Sequence, residues 1–507
     1  MFTPQSTRRI PTVMGTQHPD NASPAFWCQK ALIDTTLETE EMVHDFFDLG
    51  CEEYMWDWEG KFADEAMLEK LFTKHHEAFK TRQLGKDIFL TLRVPNVWEE
   101  KSFKLARAYM SVLSGAEFVE ALGLHSPPVF EFILPMTKRA DQLMHIQETF
   151  EKTAKLHQEI FGKSSFGAGY IHIIPLFESV EDLASCASVI EEFLKLHHEY
   201  FGFTPPYLRV FIARSDPALN AGFIPAVLAT RLALRELYRV SEKYKLPIYP
   251  IIGTGSLPFR GGINPENVRD SLKQYTGAKT ITIQSAFRYD YPLEDVQKAI
   301  EFIKESCANP QPLRFEDSVF EQLQKLCQDF KMFYTPLVEG MAPWINALAA
   351  FVPKRRERVQ HVGLFGYSRG IGQVQLPRAI TFTAACYSLG LPPEFFGTGR
   401  ALALAESRGE LELLKEHFFT LEHELHHAGK FLNKENLEVL AETEDWVKEL
   451  QKDIEACERI LKCSFGPQKD QHFLHRNLTS NILHKHRLGL NLEADLLEAA
   501  VMRKSLG

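Results

Sequence analysis

The feature that most constrains this chain is an alternation of two patterns. Between residues 50 and 290, seven short apolar or β-rich runs are separated by longer amphipathic helical stretches: "EEYMWDW" (52–58), "DIFLTLRV" (87–94), "VFEFILPM" (129–136), "YIHIIPLF" (170–177), "LRVFIAR" (208–214), "PIYPIIGT" (247–254) and "TITIQSAF" (280–287). Strands spaced by about a helix's worth of residues read as repeated βα units feeding a parallel sheet. Runs that are apolar along their length suit strands covered on both faces. Eight such units close a barrel. A helical stretch from about 292 to 350 separates the last run from the candidate for an eighth strand, "HVGLFGYS" (361–368), and beyond residue 400 the chain is continuous amphipathic helix. The expected fold is α/β, a (β/α)8 TIM-type barrel with additional α-helices, mainly C-terminal. The expected division is a barrel over 1–400, with a helical insertion near 292–350, and a helical extension over 401–507 packed on the barrel or at a subunit interface.

Length and composition set the limits. The chain has 507 residues, 45% hydrophobic and 24% charged, as in an ordinary globular protein. A net charge of -10, from 57 Lys+Arg against 67 Asp+Glu, argues against a general nucleic-acid binder. It leaves room for a local cationic pocket. The eight cysteines are scattered without a CxxC pair, which fits reduced thiols in a cytoplasmic protein. No signal-peptide core and no run long enough to span a bilayer is visible, so no membrane association is expected.

Polar residues cluster at the C-terminal ends of the apolar runs: Asp57 and Glu59, Arg93, Lys138, Glu178, Asp216, Arg260, Arg288 and then Arg369. In a βα barrel these ends converge on the rim where active sites are built. Strand ends also meet solvent, which explains scattered charge but not several arginines with few lysines. Glu178 and Asp216 end consecutive runs and can face one hard cation, Mg2+ or Mn2+, which takes oxygen ligands and keeps open positions for substrate. Either carboxylate could instead cap the helix that follows. Arg93, Arg260, Arg288, Arg369 and Arg378 supply planar, permanently charged forks for carboxylate or phosphate oxygens, which suggests a small polyanionic substrate. Two of them sit beside glycines, in "GTGSLPFRGG" and "GYSRGIG", where backbone N–H groups can approach an anion.

Two further motifs stand apart. "HELHH" (423–427) satisfies the H-E-x-x-H zinc-protease pattern on a helix, but it lies outside the rim and lacks an extended downstream signature, so it reads as a helix face. "MGTQHPDN" (14–21) shows neither helical nor strand periodicity and carries a single histidine, His18.

"MGTQHPDN", "MWDWEGK", "FLTLRVPN" and "TIQSAFRYDYP" resemble the motifs of the archaeal-type phosphoenolpyruvate carboxylases, in order over roughly residues 8 to 400. The larger bacterial and plant members of that group offer a second comparison. Their "TAHPTE" histidine matches His18, and their "DIRQES" arginine is similar to Arg93. Their "PLFETLDDL" resembles "PLFESVEDL", which carries a metal ligand onto Glu178. "GYSDSAKDAG" is similar to "ARSDPALNAG", which carries a second onto Asp216. The last arginine of "HGRGGSIGRGG" falls on Arg260, and two later arginines fall on Arg369 and Arg378. The histidine and first arginine of that glycine-rich motif fall on Ile252 and Thr254, and the lysine of "SDSAKD" falls on Leu219; Lys61 or Lys138 are the candidates to restore the missing charge.

The resemblance implies carboxylation of phosphoenolpyruvate by bicarbonate to oxaloacetate and inorganic phosphate, through carboxyphosphate and a pyruvate enolate held by Mg2+ or Mn2+ on Glu178 and Asp216. It also implies His18 as a base, with Arg93 and Arg260 catalytic and Arg288, Arg369 and Arg378 holding substrate. The enzyme would be a cytoplasmic homotetramer, with the N-terminal segment folded over the barrel mouth to deliver His18. The competing readings are another metal-dependent oxo-acid C–C lyase of the phosphoenolpyruvate/pyruvate barrel group, a zinc peptidase, and a non-catalytic homologue.

Overall fold

The computed structural model describes residues 8–59, 64–99, 103–124, 126–162, 169–357, 369–371 and 374–507. Eight parallel strands form a closed barrel in sequence order: β1 (Val13–Thr16), β2 (Glu53–Asp57), β3 (Phe89–Arg93), β4 (Val129–Leu134), β5 (His172–Phe177), β6 (Leu208–Ala213), β7 (Ile248–Gly253) and β8 (Thr280–Ile283). All seven expected runs supply strands. The remaining strand does not come from 361–368, which lies outside the described residues. It is β1, three of whose four residues open the octapeptide that showed no periodicity, and it closes the ring by pairing Met14 with Glu53 on one side and with Thr282 on the other. The correction has a physical cause. Four residues, one of them glycine, are too short to display a period of two, and β1 is recognisable only through its partners.

Side-chain parity then sorts each strand between two cores. Met14, Met55, Ile133, Ile174, Leu176, Phe211, Ala213 and Ile251 fill the barrel interior. Their neighbours Val13, Trp56, Phe132, Ile173, Ile212 and Ile252 face the surrounding helices in the larger core. Both faces are apolar because both are covered, which is why the runs looked continuous. The helices carry their own boundary signals. The helix Val180–Phe201 starts at Ser179, whose hydroxyl accepts a hydrogen bond from the Asp182 N–H (3.0 Å), and ends at Gly202 with φ 77°.

The N-terminal end of the barrel is closed by charge. Arg209, fully buried, donates to both carboxylate oxygens of Glu53 (2.7 Å each), to Glu131 (2.7 Å) and to Thr280 Oγ1 (3.0 Å). Arg8 reaches the same Glu131 and lies over the ring of Phe89. Burial disfavours the Glu131 carboxylate, but Arg8 and Arg209 outweigh it and hold its pKa below the usual range.

After β8 the chain forms the helices Ser285–Tyr289 and Leu293–Ser306, then the 33-residue helix Asp317–Ala349, which packs on the helix Phe223–Tyr244 and brings residues 349–357 back over the barrel. Arg369–Ile371 and Val374–Leu376 form a small antiparallel pair, and helices from Ala379 to Met502 complete the chain. Residues 505–507 return to the barrel mouth, where Leu506 N donates to Asp20 O (2.7 Å). Among the described residues, no helix is long and apolar enough to cross a membrane.

Replacing Arg209 by Met would remove the two-point partner of the buried Glu53 and leave Arg8 as the one arginine facing both Glu53 and Glu131. A loss of about 3–5 kcal/mol is expected, read as a lowered denaturant midpoint in far-UV circular dichroism.

Candidate active site

A cavity of about 730 Å3 opens at the C-terminal end of the barrel, and its lining includes His18, Arg93, Glu178, Asp216, Arg260 and Arg378. These residues come from the ends of β1, β3, β5, β6, the turn after β7 and the N-terminus of the helix Ala379–Ser388. Glu59, Gln284 and residues 352–357 complete the wall that matters here. The expected convergence at the rim is thus observed for six of the eight candidate residues.

Arg93 is the best-anchored of the arginines. Its Nε and Nη2 donate to Asp57 (2.9 and 2.6 Å), and Nη2 lies 3.1 Å from Glu59, leaving Nη1 without a partner among the described residues. Burial opposes its charge, but Asp57, Glu59 and Glu178 outweigh it and raise its pKa, so the guanidinium stays charged. Glu59 also lies 3.7 Å from Arg378 Nη2 and links the two cations.

Arg260 is used differently. Its Nε donates to Ser215 Oγ (3.2 Å), Nη1 to Asp20 (2.9 Å) and to Gly507 O (2.5 Å), and Nη2 to Gln284. A guanidinium has five N–H donors. Four are consumed inside the protein, so Arg260 offers a fixed positive charge and at most one hydrogen bond to a ligand. It ties together the turns after β1, β6, β7 and β8.

The two carboxylates are placed at consecutive strand ends in different local settings. Glu178 follows β5 directly, and the next helix is capped by Ser179 rather than by Glu178. Asp216 lies in the first turn of the short helix Ser215–Ala221, which has no side-chain cap. Glu178 acts on Arg93 and Asp216 on Arg260 through charge. Two hard oxygen donors on adjacent strand ends, each balanced by an arginine, fit a divalent cation that leaves its other positions to water and substrate.

His18 stands at the end of β1, on the rim itself and not on a flap folded across it. Its carbonyl accepts from Ser285 N (3.2 Å), and its Nδ1 lies 2.9 Å from Thr16 Oγ1. Asp20, two residues on, accepts from Ala286 N (2.7 Å) as well as from Arg260.

Arg288, expected to bind substrate, is placed elsewhere. It is buried behind β1 and does not line the cavity. It donates to Asp45, to Glu41 (3.2 Å), to Thr16 O (2.7 Å) and to Ser285 Oγ (3.2 Å). The sequence could not distinguish it from the cavity arginines, because its location depends on the helix Glu38–Phe47, which supplies both acids. Burial, reinforced by Glu41, pushes the Asp45 carboxyl up, while Arg356 and Arg288 overcome burial at Glu41 and hold it down.

The side chain of Arg369 and all of Lys61 lie outside the described residues. Lys138 is exposed and does not line the cavity. Ile252 and Leu219 are packed in the outer core, and Thr254 donates from Oγ1 to Thr282 O (2.8 Å), so none of the three departures leaves a gap. The basic run "PKRRE" (353–357) was not singled out by sequence, yet all five residues line the cavity. Arg355 holds Asn21 O and Ala22 O, and Arg356 holds Glu41, which leaves Lys354 exposed.

The "HELHH" segment lies outside the cavity lining. Glu424 is buried beside Gly262 and accepts from Thr420 Oγ1 (2.5 Å), and burial raises its carboxyl to about 8. The glutamate is part of the packing under the β7 turn.

A Cβ on Gly15 would overlap the Asp45 carboxylate that holds Arg288. Gly15→Ala is expected to destabilise the protein by about 1–3 kcal/mol, measured as a fall in the thermal unfolding midpoint, whereas Ala substitution at the exposed Lys138 leaves it unchanged.

Comparison with known proteins agrees with this arrangement. The family model described as phosphoenolpyruvate carboxylase matches residues 10–507. Phosphoenolpyruvate carboxylase of Leuconostoc mesenteroides is 39% identical over 480 residues, covering 94% of this chain and 95% of that protein. That of Metallosphaera sedula is 36% identical over 519 residues (99% and 100%), and that of Pyrococcus horikoshii 38% over 459 residues (88% and 94%). With a family match over nearly its whole length and archaeal relatives aligned end to end, the chain belongs to the archaeal-type phosphoenolpyruvate carboxylase family.

Proposed function

We propose that the cavity carboxylates phosphoenolpyruvate with bicarbonate, giving oxaloacetate and inorganic phosphate. The observation that carries this reading is the convergence of His18, Arg93, Glu178, Asp216, Arg260 and Arg378 on one cavity of a chain in this family. A bicarbonate oxygen attacks phosphorus and the enolate of pyruvate leaves. The resulting carboxyphosphate breaks to CO2 and phosphate, and C3 of the enolate attacks CO2.

Each residue has a task in that sequence. Arg378, the less buried cation at the wall, holds the phosphoryl oxygens, with Arg369, which precedes it in the chain, as a second candidate. Arg93 places a charged guanidinium with one open nitrogen where negative charge passes from phosphate to enolate. Arg260 contributes a fixed field more than a hydrogen bond, since its donors are occupied. His18 takes the proton of the carboxyl group as carboxyphosphate breaks, and so drives release of CO2 beside the enolate. Glu178 and Asp216 would hold Mg2+ or Mn2+, which supplies Lewis-acid polarisation of substrate oxygens when bound. The enzyme works in the cytoplasm as a homotetramer, and residues 401–507 act as a helical extension of a catalytic unit in 1–400.

Oxaloacetate formation should depend on both phosphoenolpyruvate and bicarbonate in a coupled malate dehydrogenase assay. Product without bicarbonate would favour the other oxo-acid C–C lyase and overturn this reading. Asp216→Asn is expected to lower turnover by more than about 100-fold, with partial recovery at high Mn2+. Light scattering should give four times the mass of the 58.0 kDa chain.

A further inference from the structure

The role given to His18 requires one particular ring nitrogen to be proton-free, and the residues behind it settle which. A neutral imidazole carries one N–H, and its partner fixes the tautomer. His18 Nδ1 lies 2.9 Å from Thr16 Oγ1. The same hydroxyl also lies 3.4 Å from the carbonyl oxygen of Ile283, the last residue of β8. A hydroxyl has a single proton to give. The carbonyl can only accept, whereas the imidazole nitrogen can do either. Both contacts are made together in one arrangement alone: Thr16 donates to Ile283 O and accepts from His18 Nδ1–H.

The surroundings hold that arrangement in place. Thr16 and Ile283 are fully buried, so water does not substitute for the hydroxyl at the carbonyl. Arg288 donates to Thr16 O (2.7 Å), and Ser285 N donates to His18 O (3.2 Å). The backbone on both sides of the hydroxyl is thereby tied to the β8 turn. Gly15 pairs with Ile283 across the β1–β8 seam, which brings the Thr16 side chain to that carbonyl.

We infer that Thr16 is a positioning residue that fixes His18 as the Nδ1–H tautomer, leaving Nε2 as the nitrogen that accepts the proton. The inference rests on the base role proposed above for His18, and it adds a residue and an atom to it. The logic is that of a carboxylate orienting a catalytic histidine, with a neutral hydroxyl and a strand-end carbonyl in its place. A neutral partner orients the ring without raising its basicity as an anion would.

The test reads the tautomer directly. In enzyme labelled with 15N at histidine, and with the His18 signals identified by their loss in His18→Asn, Nδ1 should give a protonated-type and Nε2 an unprotonated-type resonance above the histidine titration range. The reverse assignment would overturn the inference. In kinetics, Thr16→Ser should retain turnover, while Thr16→Val, which keeps the buried shape, should lower kcat by about 10–100-fold with little change in KM for phosphoenolpyruvate. Equal kcat in Thr16→Val and Thr16→Ser would also overturn it. If the valine variant fails to fold, the spectrum of the unmodified enzyme still decides. Full turnover in His18→Asn would instead overturn the base role, and the ring spectrum separates that failure from a wrong tautomer.

Discussion

The docking of β1 between β2 and β8 is the interaction on which the rest of the molecule depends. It closes the barrel, and within eight residues it also supplies contacts to three buried arginines. Thr16 O receives Arg288, the Asp20 carboxylate receives Arg260, and Asn21 O receives Arg355. A buried guanidinium is costly unless its donors are matched. The end of β1 therefore cannot move without leaving charges unpaired at several other strand ends. Gly15 is part of the same fit, since the Asp45 carboxylate occupies the space a side chain would need.

Charge is distributed at both ends of the barrel, with an apolar plug between. Glu53, Glu131 and Arg209 compensate one another at the N-terminal end, and Met55, Ile133 and Phe211 separate them from the cavity. Along β2 the inward positions run Glu53, Met55, Asp57, so one strand shows all three layers. The plug matters for chemistry because it keeps the low-dielectric floor of the cavity free of competing ion pairs. Arg93, above it, pairs with Asp57 and Glu59, and Arg260 divides its donors between Asp20 and neutral oxygens.

The two cavity arginines illustrate how the same residue type divides between tasks. Arg93 is held in a two-point fork by Asp57 and keeps a nitrogen open, whereas Arg260 spends four donors on protein groups. Arg288 completes the series, being wholly structural in its contacts. Residue 507 and residues 353–357 belong to the same site although they are distant in sequence from the barrel strands. The helices after Ala379 thus lead to residues that touch Asp20 and Arg260 at the rim.

The sequence by itself determined the barrel and much of its rim. Seven strands were legible because each lies in a recognisable apolar or β-rich run, even the four-residue β8 with its alternating Thr and Ile, and Glu178, Asp216 and Arg93 were legible because strand ends in a closed parallel barrel have only one place to converge. Family motifs brought His18 to notice, although its surroundings looked like a turn. Tertiary structure alone decided the rest. β1 is four residues long and becomes a strand only through pairing with β2 and β8. Arg288 sits one helical turn from Gln284 and looks like a substrate ligand until the helix carrying Glu41 and Asp45 is packed behind it. The run at 353–357 gains a place at the cavity because a 33-residue helix delivers it there. Local pattern records burial and periodicity, whereas the partner of a charge is set by which distant elements the fold brings within a few ångströms.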